Sequence, residues 1–188
     1  MLAEHEPAKE PVEHGPPRRA AVAVILRDRP SDLELMLIRR AERQGDPWSG
    51  HMAFPGGHLD PTDVNLEAAA RRETLEEVGF QLPDDAYVGA LDEYPARARG
   101  RFTGMIVSPF VFAVSGEPSL TPNHEVAEVV WTPLSPMMRG ETDTTRTWKR
   151  DGESLELPGY SVGPHTVWGM TYGMLQLLFD RLSHPDLS

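Results

Sequence analysis

Apolar residues fall along this chain in short blocks separated by turn-forming residues. Residues 20–27 (AAVAVILR) form a continuous apolar run of the length expected for a buried strand. Residues 28–32 (DRPSD) carry turn chemistry, and 33–40 (LELMLIRR) alternate as a second strand, the hairpin partner of the first. Residues 41–50 read as a loop with an exposed Trp48, and 51–54 as a short strand entering Pro55-Gly56-Gly57. A turn at 60–63 leads to a helix ending near Gly79, with Asp63 near its start. Its small residues Ala70, Thr74 and Val78 share one stripe suited to close packing on a sheet. Residues 87–93 and 105–114 predict strands, Pro109 implying a bulge or an edge position in the second. Further on come a strand over 129–134, a short helix over 135–140, and segments 144–150 and 154–157 flanking the hairpin signal Asp151-Gly152. The last helix is predicted over 165–182, burying Trp168, Thr171, Tyr172, Leu175, Leu178, Phe179 and Leu182. Strands mixed with two main helices predict an α+β fold, an α/β/α sandwich.

Length adds that one domain suffices: 188 residues can bury a full core without staples. Residues 1–17 carry prolines and charges with almost no apolar residues. They are expected to be a disordered tail, leaving 18–188 as the domain. There is no cysteine, so no disulfide or thiolate chemistry. The longest apolar run is too short to span a bilayer, and the N-terminus has no signal-peptide pattern. A net charge of -11 argues against nucleic acid or an anionic membrane as partner. The expected location is the cytoplasm; a homodimer is left open.

The charge pattern becomes specific at Glu73, Glu76 and Glu77, which share one helix face with no lysine at matching spacing. Three crowded carboxylates repel each other, and their natural use is to hold a hard divalent cation. The segment ARARGRFTG places Arg97, Arg99 and Arg101 in one predicted loop of an acidic chain, a candidate for binding phosphate through the planar arginine fork. Of Arg39 and Arg40 at the end of the second strand, one is expected to face the site, with Arg39 the candidate.

Gly57, Arg72, Glu73, Glu76, Glu77 and Gly79, in the stretch FPGGHLDPTDVNLEAAARRETLEEVGF, resemble the Nudix box of the Nudix hydrolases. The spacing from Gly57 to Arg72 is one residue longer than the family pattern, Asp63 stands at the position of the first glutamate, and Thr74 fills an apolar position. The FPGG and TVWGMT segments resemble the coenzyme A pyrophosphatase branch, although His51 stands where that branch has glutamine. The resemblance implies a mixed sheet between helices. It also implies Mg²⁺ or Mn²⁺ held by Glu73, Glu77 and Glu76, with a Gly57 carbonyl as a further ligand and Arg72 orienting Glu73. It places an additional glutamate ahead of the 129–134 strand, matched by Glu125 with Glu128 second. The base would be Glu125 or a box glutamate. The implied reaction is hydrolysis of a phosphoanhydride in a small-molecule nucleoside diphosphate derivative, coenzyme A or acyl-coenzyme A first, ADP-ribose or a sugar nucleotide as the alternative. Isomerases of this fold use a catalytic cysteine, absent here, and a non-catalytic binding module would be expected to lose the box carboxylates.

Overall fold

The computed structural model describes residues 7–9, 17–45, 48–98, 101–150 and 153–183. Its elements run β1 (Arg18–Arg29), β2 (Asp32–Arg40), β3 (Met52–Ala53), β4 (Gly56–His58), α1 (Leu66–Val78), β5 (Tyr87–Ala90), β6 (Tyr94–Ala98) and β7 (Arg101–Val114). Then follow β8 (Val126–Pro133), α2 (Leu134–Met138), β9 (Asp143–Arg150), β10 (Glu153–Val162), β11 (His165–Trp168) and α3 (Gly169–Ser183). The apolar run of β1 lies at the centre of the main sheet, whose order is β3-β2-β1-β7-β5. It pairs antiparallel with β2 and β4 and parallel with β7, so the sheet is mixed.

Strand alternation sends successive side chains to opposite faces, which builds two cores. Val24, Leu26, Leu35, Leu37, Val107 and Val111 face Leu175 and Leu178 of α3 and Met137 of α2. Ala21, Ala23, Ile25, Met36, Ile38 and Phe112 face Ala69, Ala70 and Val78 of α1. The sheet thus lies between helices, as expected. The small-residue stripe does pack on it: Ala70, Thr74 and Val78 are all fully buried. Thr74 is tolerated in an apolar position because its hydroxyl donates to the Ala70 carbonyl at 2.7 Å, leaving its methyl to pack.

Several elements differ from the pattern reading. Pro109 occupies a central strand rather than an edge. The Leu91 N–H donates to the Pro109 carbonyl at 2.9 Å, so the missing Pro109 N–H points to the same side, where the chain between β5 and β6 leaves the ladder. The predicted 87–93 strand accordingly ends at Ala90. The arginine segment is a β-hairpin extension and not a loop, with Arg97 opposite Phe102. The last helix begins at Gly169. Residues 165–168 instead form β11, the edge of a separate three-stranded antiparallel sheet, which removes Trp168 from the helical stripe. Helical spacing is weak evidence at a boundary, and here backbone pairing with β10 wins. Residues 7–9 fall in the segment read as a tail, yet Ala8 N–H donates to Asp92 Oδ1 at 2.8 Å and its carbonyl accepts from Glu93 N–H at 3.1 Å. Among the described residues no helix is long and apolar enough to cross a membrane.

Candidate active site

The turn before α1 and the last two turns of that helix form one unit. Gly56 adopts φ +156°, and a Cβ there would overlap the backbone of Ala21 and Val22. A Cβ on Gly57 would overlap the Glu73 carboxylate. Two glycines therefore let β4 lie flat between β1 and α1, which brings backbone against the carboxylates. Gly56 N–H donates to Glu77 Oε2 at 2.9 Å. At the helix start Asn65, not Asp63, is the cap, its side chain accepting from Ala68 N–H at 2.8 Å. At the end Gly79 takes φ +68° and donates to the Leu75 carbonyl at 3.0 Å.

Asp63 has a different task. Arg72 Nε donates to Asp63 Oδ1 at 3.0 Å and Nη2 to Oδ2 at 2.9 Å, a two-point pair with Asp63 only 5% exposed. The same guanidinium donates to Glu73 Oε1 at 2.9 Å, Glu76 Oε2 at 3.2 Å and the His58 carbonyl at 3.1 Å. This holds Asp63 below the ordinary carboxylate range and Arg72 firmly protonated. The loop before α1 turns at 60–63, where Asp60 N–H donates to Asp63 Oδ2 at 2.8 Å and Asp63 N–H to the Asp60 carbonyl at 2.9 Å.

Glu77 is 3% exposed. Burial pushes its carboxyl up to about 7; the charges of Glu73 and Glu125 push the same way, opposed by the Gly56 N–H and by Arg40. The buried anion is thus short of positive charge, and a bound cation would supply it. The donor set is oxygen throughout, which suits Mg²⁺ or Mn²⁺. Among the described residues no three acidic or histidine side chains already converge as a set of ligands. Arg72 engages Glu73 and Glu76, and the glycine turn engages Glu77.

The structure also separates paired candidates. Glu125 stands next to this cluster, close enough for its charge to act on Glu77. Glu128 sits on β8 opposite Arg39, 3.6 Å from Arg39 Nε and 3.0 Å from His165 Nε2. Of the two arginines ending β2, Arg40 shares the parity of Ile38, which faces α1, and it is Arg40 whose charge acts on Glu77. Arg39 has the opposite parity. Arg97 and Arg101 are exposed on the β6–β7 hairpin, away from the carboxylates in the strand register; Arg99 lies outside the described residues. Pattern reading missed Asp63 as the partner of Arg72, though its place at the first glutamate position was the available signal.

A carboxylate-bearing helix clamped to a glycine turn, on a mixed sheet between helices, is the arrangement that the resemblance to the Nudix box implies. The chain belongs to the Nudix family: the NUDIX domain model matches residues 17–154. It is 38% identical over 164 residues to the uncharacterized protein C14C4.10c of Schizosaccharomyces pombe, covering 77% of this chain and 49% of that protein, so it spans about half the length of that relative. It is 33% identical over 178 residues to the human mitochondrial coenzyme A diphosphatase NUDT8, covering 92% of this chain and 74% of that one. The crystal structure of a MutT/nudix family protein from Enterococcus faecalis superposes with a TM-score of 0.63 at 20% identity. It covers 93% of this chain and 65% of that chain, a likeness of fold. With these relatives the chain is a Nudix-type pyrophosphohydrolase.

Proposed function

We propose that this protein hydrolyses the diphosphate of coenzyme A or acyl-coenzyme A, giving 3′,5′-ADP and 4′-phosphopantetheine or its acyl form. The observation that carries the hydrolytic reading is Glu77: a buried carboxylate beside Glu73 and Glu125, with the Gly56 N–H and the charge of Arg40 acting in its favour. The substrate reading is supported by the coenzyme A diphosphatases among the relatives and by the FPGG and TVWGMT segments.

Glu73, Glu77 and Glu76 would hold Mg²⁺ or Mn²⁺, with the Gly57 carbonyl as a further ligand. Such an ion neutralises phosphate oxygens and acidifies water. Arg72 keeps Glu73 and Glu76 oriented while Asp63 fixes Arg72 in turn. Glu125, or a box glutamate, takes the proton of the attacking water. Oxygen adds in line to one phosphorus as the bond to the bridging oxygen breaks, and the second phosphate leaves. Arg97, Arg99 and Arg101 are assigned to the 3′-phosphate. The cytoplasm remains the proposed location.

The test is a panel of coenzyme A, dephospho-coenzyme A, ADP-ribose, NADH and sugar nucleotides, assayed with Mg²⁺ and with Mn²⁺ and ranked by kcat/KM. Coenzyme A is expected to lead. Replacing Arg97 or Arg101 by alanine is expected to erase a preference over dephospho-coenzyme A of roughly ten- to hundred-fold, the worth of one charge-assisted contact. A lead of about tenfold or more, roughly 1.4 kcal/mol, for ADP-ribose or a sugar nucleotide would overturn the substrate and leave the hydrolase.

A further inference from the structure

Two loops meet beside the carboxylates, and the chemistry above gives neither a purpose. Glu125 is held at three points. Its carbonyl accepts from Ala41 N–H at 2.7 Å, its N–H donates to Asn123 Oδ1 at 2.7 Å, and its Oε1 lies 3.1 Å from Arg43 Nη2. Asn123 also reaches the other way: its N–H donates to the Glu77 carbonyl at 2.9 Å. One residue thus bridges the backbones of Glu77 and Glu125. Next to it, Thr121 N–H donates to the Val78 carbonyl at 2.8 Å, so the loop doubles as the cap of α1. Arg43 is itself fixed, its N–H donating to Ser49 Oγ at 2.7 Å and its Nη2 to His124 Nε2 at 3.0 Å.

Glu125 has three rotatable side-chain bonds and a carboxylate neighbour at Glu77. Repulsion from Glu77 favours turning it outward in the metal-free protein, and Arg43 on its flank opposes that, with His124 Nε2 4.0 Å from the same carboxylate oxygen. Arg43 is 53% exposed and Glu125 37% exposed, so the pair adds little to stability. Its effect is on where the carboxylate stands, and misplacement of a proton acceptor is costly to rate.

We propose that Arg43 and Asn123 are positioning residues for Glu125. Asn123 sets the backbone of Glu125 against that of Glu77, and Arg43 keeps its carboxylate beside the cluster. This rests on Glu125 acting in the proposed hydrolysis. Asn123→Ala keeps the backbone bond to Glu77 and releases only the Glu125 N–H, which shifts backbone and side chain of Glu125 together, so the test uses Arg43. Wild type, Arg43→Ala, Arg43→Lys, Glu125→Gln and the Arg43→Ala/Glu125→Gln double variant are compared on the fastest substrate of the panel. Manganese binding without substrate is followed by calorimetry. Arg43→Ala is expected to lower kcat about tenfold with KM moved less than about threefold, the scale of lost support for an acting group. Arg43→Lys, which keeps the charge, is expected to recover most of that loss. In the Glu125→Gln background Arg43→Ala should cost less than about twofold, since a residue acting through Glu125 has nothing left to act on. Manganese affinity should not move. Losses that multiply independently in the double variant, a loss carried by KM, or weakened manganese binding would overturn the positioning role while leaving Glu125 in place. A Glu125→Gln enzyme as fast as wild type would instead remove Glu125 itself, and the inference with it.

Discussion

Glu77 concentrates the conflict between folding and chemistry. Its carboxyl is raised from the ordinary 4.5 to about 7, so the folded, metal-free protein binds this proton more tightly than the unfolded chain. Stability must then fall as pH rises from about 4.5 to about 7, by up to the order of 3 kcal/mol, and level off above that window. Glu77→Gln removes the charge and keeps the shape. Chemical denaturation of the metal-free variant is expected to lose most of that slope and to show equal or greater stability than wild type at pH 8. The same substitution should lower kcat/KM by about a hundredfold or more, since metal stabilisation supplies several kcal/mol. A stable variant with undiminished turnover would show that Glu77 holds no ion. Asp63 acts one step further out. Asp63→Ala breaks the two-point pair with Arg72 and is expected to cost about 10–100-fold in kcat/KM, the scale for groups that orient ligands. A matched loss in Arg72→Ala would place both residues on one path.

At the scale of elements, the glycine turn and α1 depend on each other through two contacts of different stiffness. A Cβ at position 56 meets the backbone of β1, which cannot yield. A Cβ at 57 meets the end of the Glu73 side chain, which can rotate. Gly56→Ala is therefore expected to lose stability by overpacking, about 1–3 kcal/mol or more, read in urea melts. Gly57→Ala should melt near wild type but bind manganese more weakly, since it displaces Glu73. Equal melts for both variants would contradict this division. The hairpin of β6 and β7 shows how an element is misread from composition. Arg97 and Arg101 looked like loop residues because charge and glycine cluster there, but Arg97 lies on β6 and Arg101 on β7, and the two strands pair through them, Arg97 opposite Phe102 and Ala98 opposite Arg101.

For the whole molecule, the main sheet is closed off on one side by α1 and on the other by α3 with the small sheet. The N-terminal stretch adds a minor clasp through Ala8 to Asp92 and Glu93. Two exposed hydrogen bonds contribute at most about 1–3 kcal/mol together before the entropy of ordering is subtracted. Deleting residues 1–16 is expected to lower the melting temperature by less than about 5 °C, roughly one kcal/mol for a domain of this size, with turnover unchanged. A larger drop, measured by calorimetry, would mean that the stretch is part of the domain.

The chain alone determined what is local or periodic. Residues three and four apart on a helix share a face whatever surrounds them, so Glu73, Glu76 and Glu77 were legible together with the cap at Gly79. The continuous apolar run of β1 likewise read as a buried strand and the alternation of β2 as its hairpin partner before any contact was known. What the tertiary structure decided are choices between near-equivalent neighbours. Arg40 rather than Arg39 acts on Glu77, Glu125 rather than Glu128 stands beside it, and Trp168 joins a strand instead of the helix that follows. The first two choices turn on contacts between segments far apart in the chain, and the third on the nearer β10–β11 pairing, where Trp168 lies opposite Gly159. Such pairing is set by which faces can be buried together, and a one-residue slip would reverse every outcome.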